Sequence, residues 1–226
     1  MDTYDQNFEE IREYLLNQFA AGQMDTEEAL AKRFKISRYR VRKVLTALSQ
    51  MGVLDRSQKK GSKLREPNTE IMSEQIRFQF KVAGFDVAEF IEARSIIECA
   101  IMPVVVRRIT PSLMTQLENA LCKIEENADN PLEADKHDRD FHLLMLKACG
   151  NRVLEVFSSV LITYFEKTTN FVSDFGPEYF HEIVREERAI LDAIRANDHD
   201  LAADLLQNHL SKEVLNFHRK SGINKL

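Results

Sequence analysis

The sequence predicts a mainly α-helical protein of two domains, a small basic N-terminal domain and a larger acidic all-helical bundle. Seven Gly and five Pro in 226 residues leave little material for turns, and apolar residues recur at helical spacing along most of the chain. Residues 1–66 carry a net charge of +3, and the remaining residues carry −8. We therefore place a small basic domain at 1–66, a linker that runs into the first bundle helix at 67–75, and the bundle at 76–226.

Bulk composition narrows the class of protein. Apolar residues make up 44% and charged residues 30% of the chain, which is typical of a globular protein. The apolar run IMPVVV is too short to span a bilayer, and the opening MDTYDQNFEE is acidic and has no apolar segment, so we expect no signal peptide. The three cysteines are odd in number and form no C-x-x-C pair, which favours reduced thiols. A cytoplasmic protein with no membrane partner is expected.

The helix pattern of the N-terminal domain indicates a helix-turn-helix. A first helix is predicted from about Asp5 to Ala20, and Gly22 ends it. Asp25 or Thr26 can cap a short second helix, Glu27 to Phe34. A tight turn leads to a third helix, which Ser37 caps and which ends near Met51. Two short helices joined in this way, with the second cationic at its start, are typical of DNA-binding domains.

Positive charge is concentrated on the third helix and on the segment after it. From Lys32 to Arg65 there are twelve Lys or Arg and one acidic residue. Two short strands around the tip Lys59-Lys60-Gly61 would add a basic wing and complete a winged helix-turn-helix. Arg38 and Arg42 lie one helical turn apart, so we predict that both contact base edges in the major groove. The other predicted DNA-binding residues are Ser37, Tyr39, Lys43, Lys60 and Gly61. A solvated charged surface is the alternative interpretation.

The run EEALAKRFKISRYRVRKVLTALSQMGVLDRSQKKGSKL resembles the winged helix of GntR-type regulators. The resemblance covers about residues 8–66 and rests on SRxxVRxxL at the family's distance from the wing glycine. Two features depart from the family pattern. Ala20-Ala21-Gly22-Gln23 stands where the family often has Pro-Gly, and Glu27-Glu28 stand where many members have an Arg that touches DNA. We therefore expect an operator preference that differs from the usual family half-site.

The acidic part of the chain is predicted to be a succession of amphipathic helices, separated at Gly, Pro and Asn residues. The predicted helices are Ile71–Phe80, Asp86–Ile109, Pro111–Asn127, Leu132–Ala148, Arg152–Phe171, Glu178–Ala196 and Asp198–Arg219. A bundle of this size has room for an interior pocket. It contains no dinucleotide-binding or Walker glycine pattern and no G-x-S-x-G, so the sequence offers no nucleophile and predicts no enzyme.

Two ionisable residues share one face of a predicted bundle helix. Asp138 and His142 are four residues apart, and His209 lies in the last helix among leucines. An Asp–His pair at this spacing, with further ligands from other helices, could hold a divalent ion inside a bundle. The alternative is that these histidines are hydrogen-bonded packing residues.

The segments DRDFHLLMLKACGN and ERAILDAIRANDHDLAADLLQNHL resemble the FCD effector domain of the FadR branch of GntR regulators. In metal-bearing FCD domains the ligands are the Asp and His of D-x-x-x-H, a His before the I-x-x-A-I run, and a His of the final helix. Asp138, His142 and His209 fill three of these places, and Glu187 stands at the third ligand place, where the family has the His before the I-x-x-A-I run. The resemblance implies one divalent cation, zinc, nickel or manganese, held by these four residues in an FCD-like bundle.

The segment VAEFIEARSIIE resembles the opening V-x-E-x-R-x-x-L-E of the same domain. In related proteins this Arg pairs with a carboxylate of the effector, and the resemblance therefore assigns effector binding to Arg94. A guanidinium suits this role because it binds a carboxylate at two points. The alternative is a purely structural salt bridge from Arg94 to Glu98, four residues on.

Together these features predict a ligand-responsive transcriptional regulator, and the sequence leaves repressor and activator open. A homodimer would bind a palindromic double-stranded operator, and a small carboxylate effector would change its affinity for that operator. Two other classes stay open at this stage. One is a metal-dependent enzyme with an accessory DNA-binding module, for which the sequence shows no general base beyond Glu187. The other is an architectural DNA-binding protein with no effector.

Overall fold

A computed structural model describes residues 3–19, 25–57, 61–65 and 68–221 of the chain. It confirms a mainly α-helical protein, with helices α1 to α11 and one two-stranded sheet in the described part. The chain divides into two compact units, Met1–Asn68 and Thr69–Leu226. Helix α4 begins at Thr69, so the residues that the sequence assigned to the end of the linker are already helical. None of the described helices combines the length and apolar composition needed to cross a bilayer.

The first unit is built from α1 (Thr3–Phe19), α2 (Glu27–Phe34) and α3 (Arg38–Gln50). Thr26 caps α2, because its side chain accepts a hydrogen bond from the backbone N–H of Ala29. The predicted stop at Gly22 lies outside the described residues. The buried residues that hold the three helices and the first strand together are Ile11, Leu15, Leu30, Val41, Val44, Leu45, Leu48 and Leu54.

The predicted wing is present as an antiparallel pair, β1 (Leu54–Ser57) and β2 (Gly61–Leu64). Leu54 lies opposite Leu64, and Ser57 lies opposite Gly61. Arg65 donates two hydrogen bonds to Asp55 beside the pair, which ties the end of the hairpin to its start. Residues 58–60, the tip between the strands, lie outside the described part of the chain.

The second unit consists of α4 (Thr69–Ala83), α5 (Val87–Arg108), α6 (Pro111–Glu126), α7 (Pro131–Ala148), α8 (Arg152–Glu155), α9 (Ser158–Val172), α10 (Pro177–Arg195) and α11 (His199–Ser221). Pro111, Pro131 and Pro177 each occupy the first turn of a helix, where the missing N–H has no intrahelical partner to lose. Asp86 and Glu89 form a capping box at the start of α5. These local signals explain why the predicted starts agree with the observed ones to within a few residues.

The single helix predicted from Arg152 to Phe171 is wrong, because the structure breaks it into α8 and α9 at Val156 and Phe157. Around the break the backbone bonds tighten to i→i−3, as in Phe157 N–H to Leu154 C=O at 2.9 Å. The carbonyl of Val156 accepts a long backbone bond from Ser159 N–H, at 3.4 Å, and also accepts from the hydroxyls of Ser73 and Ser159, at 3.1 and 3.0 Å. A contact from the distant helix α4 therefore stabilises a break that no local Gly or Pro signals.

Four helices of the bundle carry ionisable residues on an otherwise apolar buried stripe. Helix α11 packs against α5 and α10, and α7 packs against α5, α9 and α10. The buried charged or titratable side chains on these stripes are Arg94 and Glu98 from α5, Asp135, Asp138 and His142 from α7, Glu187 from α10, and His209 and Glu213 from α11. The packing therefore brings polar groups from four helices into the interior of one bundle.

Candidate functional site

The exposed face of α3 carries the side chains that the sequence predicted to contact DNA. Val41, Val44, Leu45 and Leu48 turn into the core, which leaves Arg38, Tyr39, Arg42 and Lys43 exposed to solvent. The Lys43 ammonium lies 5.3 Å from the centroid of the Tyr39 ring, a cation–π contact on that surface. The helix therefore presents two Arg, one Lys and a phenol on one continuous exposed surface.

Two of the predicted DNA-binding residues already have local partners. The Ser37 hydroxyl accepts a hydrogen bond from the Arg40 backbone N–H at 3.3 Å, so Ser37 is the N-cap of α3. Arg42 donates through Nε and Nη2 to Glu27 of α2, at 3.3 and 3.1 Å. Glu27 is one of the two acids that depart from the family pattern, so this departure affects Arg42 directly. Glu27 therefore takes two of the five N–H donors of Arg42 and restrains its side chain on the exposed face.

The tip of the wing lies largely outside the described part of the chain. Gly61 opens β2 opposite Ser57, so its backbone lies at the edge of the hairpin tip. Lys60 lies outside the described residues, and its contribution to DNA binding stays a prediction.

The second candidate site is a buried cluster inside the bundle. Nε2 of His142 lies 3.3 Å from Oδ1 of Asp138 and 3.4 Å from Oε1 of Glu187. The ring of His209 stacks on that of His142, with centroids 5.6 Å apart. The structure therefore places Asp138 and Glu187 beside Nε2 of His142 and stacks His209 on the same ring. The set in which one ligand atom of each residue lies within 4.8 Å of all the others is Asp138, His142, His209 and Glu213, so Glu213 rather than Glu187 completes that set.

Carboxylates hold both histidines from their outer sides. Nδ1 of His142 lies 2.5 Å from Glu98 Oε2, and Nδ1 of His209 lies 2.9 Å from Glu186 Oε2. An ionised carboxylate can only accept, so each Nδ1 carries the proton and each Nε2 turns toward the cluster. Carboxylate–histidine pairs of this kind orient metal-binding imidazoles and raise their basicity.

Burial and mutual charge shift the pKa values inside the cluster. Burial opposes ionisation of Glu98, but His142 and Arg94 outweigh it and lower its pKa to about 2. Burial and Arg94 oppose protonation of His142, yet Glu98 and Asp138 raise its pKa to about 9. Burial, reinforced by the neighbouring Asp138, raises the pKa of Glu187 well above its usual range. Without a cation the cluster therefore holds extra protons on His142 and Glu187.

Several buried ligand atoms have no hydrogen-bond partner among the described residues. They are Asp138 Oδ1, His142 Nε2, His209 Nε2 and both carboxylate oxygens of Glu187. Buried polar atoms are normally paired, so a group of orphaned atoms that face one another needs an explanation. Two imidazoles and two carboxylates form a donor set that suits zinc, nickel or manganese. The residues present therefore fit a divalent cation.

Two of the three guanidinium nitrogens of Arg94 donate hydrogen bonds. Nε donates to Glu98 Oε1 at 2.7 Å, which is the structural salt bridge considered as an alternative, and Nη1 donates to Glu213 Oε2 at 2.8 Å. Its guanidinium carbon also lies 4.5 and 4.8 Å from the ring centroids of Tyr164 and Phe165. Nη2 is buried and has no described partner. Arg94 is thus held rigidly beside the cluster, with one donor unused.

The space beside the cluster is small. An inner cavity lined by Asp138, Tyr164, Tyr179 and Glu213 has a volume of about 20 Å³, room for one water-sized species. A cleft of about 280 Å³, lined by Tyr179, Glu182, Lys212 and Glu213 among others, lies on its outer side. An organic molecule could enter the inner cavity only if a lining side chain moved.

Sequence reasoning missed Glu213 and Glu186, and it considered Glu98 only as a partner of Arg94. The spacing of the buried residues along α11 is the signal that identifies Glu213. On α11 the buried residues are Ala202, Leu206, His209, Leu210 and Glu213, so Glu213 occupies a core position one turn after His209. An acid at a core position of an apolar stripe requires a buried partner.

Both units of the chain are similar to families of known proteins. Residues 89–212 match the FCD domain, and residues 3–64 match the bacterial regulatory proteins of the gntR family. The HTH-type transcriptional regulator LutR of Bacillus subtilis is 25% identical over 83% of this chain and 88% of its own length. The HTH-type transcriptional repressor NanR of Enterobacter sp. is 26% identical over 93% and 83%. A GntR protein of Streptococcus agalactiae has the same fold, with a TM-score of 0.56 at 18% identity over 93% of this chain and 98% of its own.

Proposed function

Because the chain belongs to the GntR family and carries the FCD domain, we propose that it is a sequence-specific transcriptional regulator whose operator affinity a small molecule controls. The family and the relatives are transcriptional regulators, so the chain is not an enzyme. The observation that carries the proposal is the exposed cationic face of α3 in a winged helix-turn-helix.

DNA readout is assigned to this face. Arg38 and Arg42 would donate to base edges, while Tyr39 and Lys43 would contact the thymine methyl or the phosphates beside them. Lys60 and Gly61 would reach the backbone or the minor groove from the wing. We propose a homodimer that binds a palindromic operator, since each recognition helix needs its own half-site. The relatives named as repressors support repression as the mode of action. We propose that the protein acts in the cytoplasm.

The bundle is proposed to hold one divalent cation through Asp138, His142, Glu187 and His209. Such an ion supplies concentrated positive charge and open coordination positions for an anionic ligand. The five orphaned ligand atoms support this assignment. A small organic acid is the proposed effector, with Arg94 as its partner, because a buried guanidinium with an unused N–H lies beside the cluster. Binding would shift the population between conformations with different operator affinity.

The DNA assignment is tested with DNA from the region upstream of the protein's own gene. Footprinting locates the protected site, and an anisotropy titration then compares the parent with Arg38→Ala. We expect a loss on the order of 1–3 kcal/mol in binding and relaxed specificity at one base pair of each half-site. Arg12→Ala, on α1, removes the same charge from an exposed site that pairs with Glu9. Parent-like binding by Arg38→Ala, or an equal loss in both variants, would remove Arg38 from base readout.

A further inference from the structure

Glu213 lies between the guanidinium of Arg94 and the predicted metal ligands. Its Oε2 accepts from Arg94 Nη1 at 2.8 Å, and its Oε1 lies 3.7 Å from His209 Nε2. One carboxylate thus faces an arginine with one oxygen and a potential metal ligand with the other. An external carboxylate that bound Arg94 and a cation of the cluster together would need the same two contacts.

Glu213 also separates the interior of the bundle from solvent. It lines the inner cavity of about 20 Å³, a second cavity of about 10 Å³ beside Arg94, and the outer cleft of about 280 Å³. Only 8% of the residue is exposed. Movement of this one side chain into the cleft would join the cleft to both inner cavities.

Charge determines how an external carboxylate could bind here. Arg94 already faces two carboxylates, Glu98 and Glu213, and Asp138 lies in the same cluster. While the cluster holds no cation, a further anion would be buried among these acids without a positive charge to match it, which is strongly unfavourable. An anion that replaced Glu213 would leave the buried charge unchanged. The electrostatics therefore favour exchange of the Glu213 carboxylate for the external one.

Glu213 is the acid that can leave. Glu98 is 0% exposed and is held on both oxygens, by Arg94 Nε and His142 Nδ1. Glu213 borders the open cleft, where Lys212 is an exposed ammonium that also contacts Glu182 and Glu186. A displaced Glu213 would thus enter a solvated region, where water screens its charge and Lys212 lies among three carboxylates.

We propose that Glu213 is a built-in occupant of the carboxylate subsite, and that a small carboxylate binds by displacing it into the cleft. The inference rests on the proposed function, because it concerns the same bundle site, and it names the step by which an acid reaches Arg94. Glu213 belongs to α11, so the exchange would move a side chain of a helix that packs on α5 and α10. Ligand entry would therefore break the contact between Glu213 of α11 and Arg94 of α5.

The test opens the subsite and refills it with acetate, the simplest carboxylate. Glu213→Ala removes the occupant, and the thermal midpoint is measured in sodium acetate, in sodium chloride of equal ionic strength, and in acetamide. We expect acetate alone to raise the midpoint of this variant, and expect it to bind at least about ten-fold more tightly than to the parent in an NMR titration. Glu182→Ala, which removes an exposed acid of the same cleft, should behave as the parent does.

Each result of this test either supports the displacement of Glu213 or overturns it. A folded Glu213→Ala protein that does not distinguish acetate from acetamide, or a parent that binds acetate equally well, overturns the proposal. If Glu213→Ala does not fold, Glu213→Gln keeps the side-chain shape and an acceptor for Arg94 but removes the charge. That variant should still bind acetate more tightly than the parent, and equal affinity overturns the proposal. The measurement reads the bundle alone, whereas operator binding is tested by Arg38→Ala, so failure of one is distinguishable from failure of the other.

Discussion

Zinc binding to the buried cluster should stabilise the protein, by an amount that the structure bounds. Five ligand-type atoms from Asp138, His142, Glu187 and His209 have no described hydrogen-bond partner. Each unsatisfied buried polar atom costs about 1–3 kcal/mol, so an ion that contacts four of them would recover on the order of 4–12 kcal/mol before any opposing cost. The gain is a gross figure, because protons must leave before the metal can bind.

Proton release sets the opposing cost and the pH dependence. The pKa of His142 without metal is about 9, so at pH 7 zinc must displace a proton from Nε2. Glu187, whose pKa burial and Asp138 raise, must lose a proton as well. We expect the gain to exceed these costs, and each kcal/mol that remains should raise the thermal midpoint by about 2–4 °C for a chain of this size.

The sign of the pH effect is fixed by the direction of the shift. The pKa of His142 lies above its ordinary value of 6.5, so its proton stabilises the metal-free fold fully below about pH 6.5. That contribution is lost as the pH rises through about 9. Zinc competes with this proton, so zinc affinity should change in the opposite direction, rising about ten-fold for each pH unit between 6 and 8 from His142 alone.

The assay uses protein purified without nickel resin, stripped with chelator and dialysed. Elemental analysis gives the stoichiometry, and competition titrations with zinc at pH 6, 7 and 8 give the affinity beside calorimetric midpoints. His209→Ala should lose both the uptake and the rise in midpoint, while His199→Ala, at an exposed position of the same helix, should keep them. A stripped parent that takes up no zinc, nickel or manganese would refute the metal assignment. Zinc affinity that does not vary between pH 6 and 8 would refute the proton competition at His142.

Two further predictions concern the acidic partners of functional side chains. Glu27→Gln should tighten operator binding, because it releases Arg42 and removes a negative charge beside the DNA face. A half-exposed pair of this kind is worth about 0.2–1 kcal/mol, so we expect up to about a five-fold lower Kd by fluorescence anisotropy, and weaker binding would contradict the role of Arg42. Glu186→Gln should lower zinc affinity by about 10–100-fold, because a neutral amide polarises the Nδ1–H of His209 less than a carboxylate does. Glu182→Gln is the matched control, and equal losses in both variants would exclude a specific effect on His209.

The sequence by itself determined most helices of this protein and most members of the candidate cluster. Helix starts were predictable because caps, prolines and apolar spacing act within one or two turns, as at Thr26, Ser37 and Pro111. The Asp138–His142 pair was visible because residues four apart share a helix face, and Glu187 and His209 were found through the resemblance to the FCD domain. These signals come from neighbours in the chain or from a family pattern, and both can be read without coordinates.

Tertiary structure alone decided which partners these side chains meet. The break at Val156 depends on Ser73, which is 83 residues away in sequence, and the engagement of Arg42 depends on a glutamate of the preceding helix. Arg94 meets Glu213, 119 residues away, only because α5 packs against α11. Helical periodicity shows that a side chain points inward, but helix packing decides what it finds there. For that reason two nitrogens of Arg94 already have carboxylate partners, and Nη2 is left without one among the described residues.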